Sequence, residues 1–133
     1  MLICVLYPNF LLMLKRILVL DDNQDILEVV NEVLAYENFD VHTTSTSDNI
    51  LQVAYDYHPD LVILDYLLND GNGGDICKQF KADKQLSHIP VIIFSAYINR
   101  DVDYPSFGCE AVISKPFDLN ELIDKVNDLT SKN

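Results

Sequence analysis

Residues 59–74, PDLVILDYLLNDGNGG, decide how the rest of the chain is read. Leu61 to Leu64 form a short apolar run without a polar break, and the run ends in Asp65. A run of that length, followed by the turn formers NDGNGG (69–74), reads as a buried strand leading into a loop. The same form recurs on either side. RILVLDD (16–22) is an apolar run closed by two acids, and IPVIIFS (89–95) is another closed by a hydroxyl. DVHTTS (40–45) alternates and is β-branched, and EAVIS (110–114) completes a set of five candidate strands.

Helical periodicity fills the gaps between them. In NQDILEVVNEVLAYENF (23–39), Ile26, Leu27, Val30, Val33 and Leu34 recur at helical spacing, with Asp25 in the first turn. SDNILQVAYDY (47–57) predicts a second helix with Ser47 as its cap, stopped by His58-Pro59. DICKQFKADKQL (75–86) predicts a third, and LNELIDKVNDLTS (119–131) a last one with Asp118 as cap and Glu121 three residues on. Pro105 and Gly108 limit any helix within 97–108. Strands alternating with helices imply a parallel sheet covered on both faces, and right-handed crossovers leave few topologies.

In a doubly wound sheet, ligands bind beyond the carboxyl ends of the strands. Those ends carry Asp21 and Asp22 after the first strand, Asp65 after the third, Ser95 and Ala96 after the fourth, and Lys115-Pro116 after the fifth. Three carboxylates, a hydroxyl and an ammonium therefore share one edge. Clustered carboxylates repel, so one titrates high or a cation binds. Mg2+ suits two or three carboxylates plus a carbonyl and waters. With charge neutralised, one carboxylate can attack phosphorus, and Asp65, alone on a central strand, is the best candidate. Asp21 and Asp22 are better placed as the metal pair. Lys115, the Ser95 hydroxyl and the Ala96 N–H are placed to meet the oxygens of a phosphoryl group. Singly, each residue has an ordinary reading: Asp21-Asp22 as helix caps, Asp65 and Ser95 as turn residues, Lys115 as a solvated charge. Their coincidence at one edge argues for chemistry.

The 133 residues suit one domain. A formal net charge of -12 argues against nucleic acid as a direct ligand, because that affinity rests on Lys and Arg. Cys4, Cys77 and Cys109 are odd in number and lack metal-ligand spacing, so they read as free thiols of a reducing compartment. The apolar start MLICVLYPNFLLMLKR is broken by Pro8 and Asn9, is too short to span a bilayer, and carries its positive charges on the wrong side for a secretory signal. We read residues 1–13 as an N-terminal extension, with Met13 as the natural start, and 14–133 as the domain, located in the cytoplasm.

Four motifs taken together resemble the receiver domain of bacterial two-component response regulators: LVLDDN (18–23), PDLVILDYLLNDGNGG (59–74), PVIIFSA (90–96) and SKPFD (114–118). The resemblance covers about residues 14–131, and the four-part pattern is specific where no single part is. It implies a flavodoxin-like, five-stranded doubly wound sheet of order 2-1-3-4-5. It implies that Asp65 accepts a phosphoryl group from a sensor histidine kinase or histidine phosphotransfer protein, or from a small phosphodonor. Asp21, Asp22, Asp65 and the backbone carbonyl of Leu67 would hold Mg2+. Ser95 would be the hydroxyl that turns toward the phosphoryl group, Lys115 the lysine that pairs with it, Pro116 a cis proline, and Gly73 the glycine of the following loop. The output would then be a change in protein contacts with a downstream target that the sequence does not identify, because no output domain follows residue 131.

Three departures stand out. Val112 occupies a position where the family commonly has Tyr or Phe. The stretch from Ser95 to Lys115 is short and carries Pro105, which predicts a truncated fourth helix. Asn69 stands where proline is frequent. Leu67 and Tyr97, two residues beyond Asp65 and Ser95, flank the phosphoryl site in the family and predict slow loss of the group. Two other readings compete with the switch. One is a phosphorylation-independent binding module on the same fold. The other is an aspartate-nucleophile phosphatase of the haloacid dehalogenase type, suggested by LDDNQD (20–25) and opposed by the lack of an acidic pair after Lys115.

Overall fold

The structure, a computed structural model, describes residues 14–96 and 101–131. The N-terminal extension, Cys4 and Tyr97 lie outside the described residues. The chain runs β1 (Arg16–Leu20), α1 (Gln24–Tyr36), β2 (Asp40–Thr44), α2 (Ile50–Tyr57), β3 (Leu61–Asp65), β4 (Leu67–Leu68), β5 (Gly71–Asn72), α3 (Gly73–Ala82), β6 (Val91–Ser95), a 3-10 turn (Tyr104–Phe107), β7 (Ala111–Ser114) and α4 (Leu119–Thr130). The main sheet has order β2-β1-β3-β6-β7 and every pairing in it is parallel. Counted along the chain, that is the expected 2-1-3-4-5 order of a flavodoxin-like fold.

Alternation along the three central strands divides the interior into two cores. Ile17, Val19, Leu61, Ile63, Ile92 and Phe94 pack with Leu27, Val30 and Leu34 of α1 and with Leu122 and Val126 of α4. Leu18, Leu20, Val62, Leu64, Val91 and Ile93 face the other way, onto Ile50 and Ala54 of α2 and Ile76, Cys77 and Phe80 of α3. Burying each such Leu, Ile or Val contributes roughly 1.5–3 kcal/mol. Strands lined on both faces in this way must read as unbroken apolar runs, and β1, β3 and β6 do.

The helix starts were read less well. Asn23 caps α1, its Oδ1 accepting from the N–H groups of Asp25 and Ile26 at 2.9 and 3.2 Å. Asp118 caps α4 as expected, accepting from Asn120 N–H at 2.7 Å. Ser47 does not cap α2. The cap is Asn49, in the left-handed region at φ 54, and its side chain makes no cap bond. The Ser47 carbonyl instead accepts the Ile50 N–H, closing a turn ahead of the helix. The third helix begins at Gly73, two residues earlier than expected, and Asn72 caps it through the Asp75 N–H at 3.1 Å. Gly73 must be glycine because a Cβ there would run into the carbonyl oxygen of Asp65. Its N–H donates to the Tyr66 carbonyl at 2.8 Å, so the start of α3 is sewn to the end of β3.

Among the described residues, the segment between β6 and β7 holds one short 3-10 turn, in line with the expected truncation. Asp103 caps it and Gly108 ends it at φ 85. Cys77 and Cys109 are free thiols, and burial pushes the Cys77 thiol up to about 12.

Candidate functional site

Parallel strands in register bring their ends to one edge. Asp65 closes β3 beside Phe94, the residue before Ser95, and Ser95 pairs with Ser114, the residue before Lys115. The Lys115 N–H then donates to the Ser95 carbonyl at 2.8 Å. Asp21 and Asp22 follow β1 directly, and the Asp21 N–H is held by the Thr44 carbonyl at 3.2 Å. The peptide bond between Lys115 and Pro116 is cis.

Three of the expected carboxylates converge. Asp21, Asp22 and Asp65 each present an oxygen within 4.8 Å of the others. Lys115 Nζ stands 2.7 Å from Asp21 Oδ2 and 3.3 Å from Asp65 Oδ1. Asp21 is fully buried, and its Oδ1 accepts the Asn23 N–H at 2.9 Å. Asp22 Oδ2 accepts the Asn69 N–H at 2.9 Å. Phe94 lies under the ammonium of Lys115, 5.8 Å from ring centroid to Nζ, and stacks on Phe117.

Burial, followed by the charge of Asp21, pushes the Asp65 carboxyl up to about 6, with Lys115 opposing the rise. Among the described residues, Lys115 is the cation given in ion pairs with this cluster, and it reaches two of the three carboxylates. An oxygen-rich cluster of that size and charge fits a hard divalent cation.

Ser95 is buried, and its Oγ shares a hydrogen bond with the Tyr104 hydroxyl at 3.2 Å. Tyr104 packs edge-on against Tyr66 and Phe107, with centroids 5.5 and 6.1 Å away. Val112, where a ring was looked for, is a half-buried strand residue paired with Ile93. An aromatic therefore does reach the Ser95 hydroxyl, but from the 3-10 turn. Sequence reasoning missed Tyr104, because 97–108 has no periodicity to orient it. Ala96 follows β6 and is exposed. Leu67 opens β4, and its side chain is 67% exposed.

The β4–β5 hairpin was missed as well. Its two-residue tip is Asn69-Asp70, with Gly71 opening β5, and strands of two residues are too short to leave a periodic pattern in the sequence. Asn69, on that tip, reaches Asp22 through its backbone N–H, a group that no side-chain motif reveals.

The sequence pattern of the response regulator receiver domain matches residues 17–127. The chain belongs to that family. This receiver domain is 28% identical over 116 residues to the polar-differentiation response regulator DivK of Brucella ovis, covering 86% of this chain and 94% of the relative. The response regulator TrrA of Thermotoga maritima, solved in complex with Mg2+-BeF, superposes with a TM-score of 0.78 at 29% identity, covering 87% of this chain and 99% of that one. The chemotaxis response regulator CheY4 of Vibrio cholerae shares the fold at TM-score 0.81 and 18% identity, over 88% of this chain and 99% of its own. Among the described residues of the receiver domain, no helix is long and apolar enough to cross a membrane.

Proposed function

We propose that this receiver domain is a two-component phosphorylation switch in which Asp65 accepts a phosphoryl group. The observation that carries the reading is the convergence of Asp21, Asp22 and Asp65 within 4.8 Å, with Lys115 reaching two of them. Asp21, Asp22, Asp65 and the Leu67 carbonyl would hold Mg2+. The bound ion would supply charge neutralisation for an incoming phosphate. A carboxylate oxygen of Asp65 forms the new O–P bond as the P–N bond of a partner's phosphohistidine breaks. The imidazole nitrogen leaves with the electron pair. Lys115, the Ser95 hydroxyl and the Ala96 N–H then face the charge on the transferred oxygens.

The TrrA complex with Mg2+-BeF supports the metal assignment by family likeness. The acting partners are a sensor histidine kinase or a histidine phosphotransfer protein, in the cytoplasm, and a downstream protein that reads the switched surface. Nucleic acid is not a direct ligand. The domain is a signalling acceptor rather than a turnover enzyme, catalysing only its own modification and its loss. The exposed apolar Leu67 favours slow hydrolysis, and Leu67→Asn should shorten the lifetime of the phosphorylated form several-fold.

Intact mass after incubation with Mg2+ and acetyl phosphate tests the reading. A gain of one phosphoryl group by the parent, absent in Asp65→Asn, is expected. A folded parent that gains nothing from acetyl phosphate or from a panel of phosphorylated histidine phosphotransfer proteins would overturn it.

A further inference from the structure

Asp70 sits at the tip of the β4–β5 hairpin, away from the acidic cluster, yet it is tied across the top of the molecule. Its Oδ2 accepts the Ser47 N–H at 3.0 Å and the Thr46 hydroxyl at 3.2 Å. These bonds, the Ser47 N–H foremost, hold its carboxyl below the usual range, so the brace is made by the ionised form. Thr46 is anchored in turn: its carbonyl accepts the Thr44 hydroxyl at 3.1 Å, and the Thr44 carbonyl receives the Asp21 N–H. The 46–47 turn is thus continuous with the backbone that seats Asp21.

The hairpin braced in this way carries two parts of the proposed cation site. Asn69, next to Asp70, gives its N–H to Asp22 Oδ2 at 2.9 Å. Leu67, whose carbonyl is the fourth protein ligand of the proposed set, opens the same hairpin. We infer that Asp70 is a positioning residue for the divalent-cation site, fixing Asp22 through the Asn69 N–H and the Leu67 carbonyl through the hairpin it pins to Thr46 and Ser47. The inference rests on the cation site of the proposed function and adds a residue to it that touches no ligand itself.

A positioning role has a signature that a charge effect lacks. Mg2+ demands near-ideal octahedral geometry, whereas Ca2+ accepts a flexible oxygen cage. Loosening the hairpin should therefore weaken Mg2+ more than Ca2+, whereas loss of one nearby negative charge weakens both alike. Supporting groups of this kind are worth about 10–100-fold in metal affinity.

The test is calorimetric titration of the full chain with Mg2+ and, separately, with Ca2+. Asp70→Ala is expected to weaken Mg2+ about tenfold and Ca2+ by about twofold. Asp70→Asn, which keeps an acceptor for the Ser47 N–H without the charge, is expected to hold the Mg2+ to Ca2+ ratio near that of the parent. Thr46→Val, which removes only the hydroxyl, should lower the ratio by a smaller factor than Asp70→Ala. Equal weakening of both ions in Asp70→Ala, or no weakening, overturns the inference alone. A folded parent that binds no Mg2+ overturns the cation site of the proposed function and this inference with it.

Discussion

Lys115 Nζ lies closer to Asp21 than to Asp65, 2.7 against 3.3 Å. The lysine thus serves first as the counter-ion of a fully buried carboxylate and second as the partner of the proposed acceptor. Lys115→Met removes both roles. Breaking one side of a buried pair costs about 3–5 kcal/mol. The Asp65 carboxyl, relieved of the Lys115 charge that opposes its rise, should titrate above the parent value of about 6. Urea unfolding and carbon-13 titration of the Asp65 carboxyl check the two effects.

A raised carboxyl has a thermodynamic sign. Asp65 binds its proton more tightly in the folded chain, at about 6 against an ordinary 3.8, so the folded state is favoured while it is protonated. That advantage is full below about pH 4 and is lost as pH rises through about 6. A rise from 3.8 to about 6 corresponds to about 3 kcal/mol at neutral pH, as an order of magnitude. Asp65→Asn should therefore be more stable than the parent at pH 7.5 and close to it near pH 4. Urea midpoints at both pH values without added metal check this. A constant gap would trace the gain to something other than ionisation.

The Ser95–Tyr104 bond predicts coupling between two residues that neither family pattern nor periodicity links. Tyr104→Phe keeps the ring packed on Tyr66 and Phe107 and deletes only the hydroxyl. Each of Tyr104→Phe and Ser95→Ala should cost about 1 kcal/mol, and the double variant clearly less than their sum. Additive losses in a double-mutant cycle would show that the bond contributes nothing.

Gly73→Ala forces a methyl against the Asp65 carbonyl, which is backbone and cannot turn aside. Overpacking of this kind costs about 1–3 kcal/mol. The strain falls on the proposed acceptor itself, so thermal stability and phosphoryl gain by intact mass should drop together. A stability loss with normal phosphoryl gain would mean that α3 has moved and Asp65 has not.

How far the sequence could be read follows from the range of the interactions involved. The apolar stretches 17–20, 61–64 and 91–94 of β1, β3 and β6 are legible because burial on both faces selects apolar residues at successive positions. Asp21, Asp22, Asp65, Ser95 and Lys115 are legible as an edge because parallel register carries strand ends to one side. Ser47 misled because a hydroxyl before an apolar run resembles a cap, whereas its backbone is used to anchor Asp70. Tyr104 and Asp70 escaped notice because their partners, Ser95 and Thr46, lie 9 and 24 residues away in the chain and no periodic pattern links them.

The strict alternation of β1, β3 and β6 makes the sheet a partition wall. Leu18 and Ile17 are neighbours in the chain, but they belong to separate apolar compartments. Substitutions behind α1 and α4 are screened from those behind α2 and α3 by a layer of backbone. Under the proposed function the domain faces both a phosphodonor and a reader, and that wall keeps the apolar support of one side distinct from that of the other.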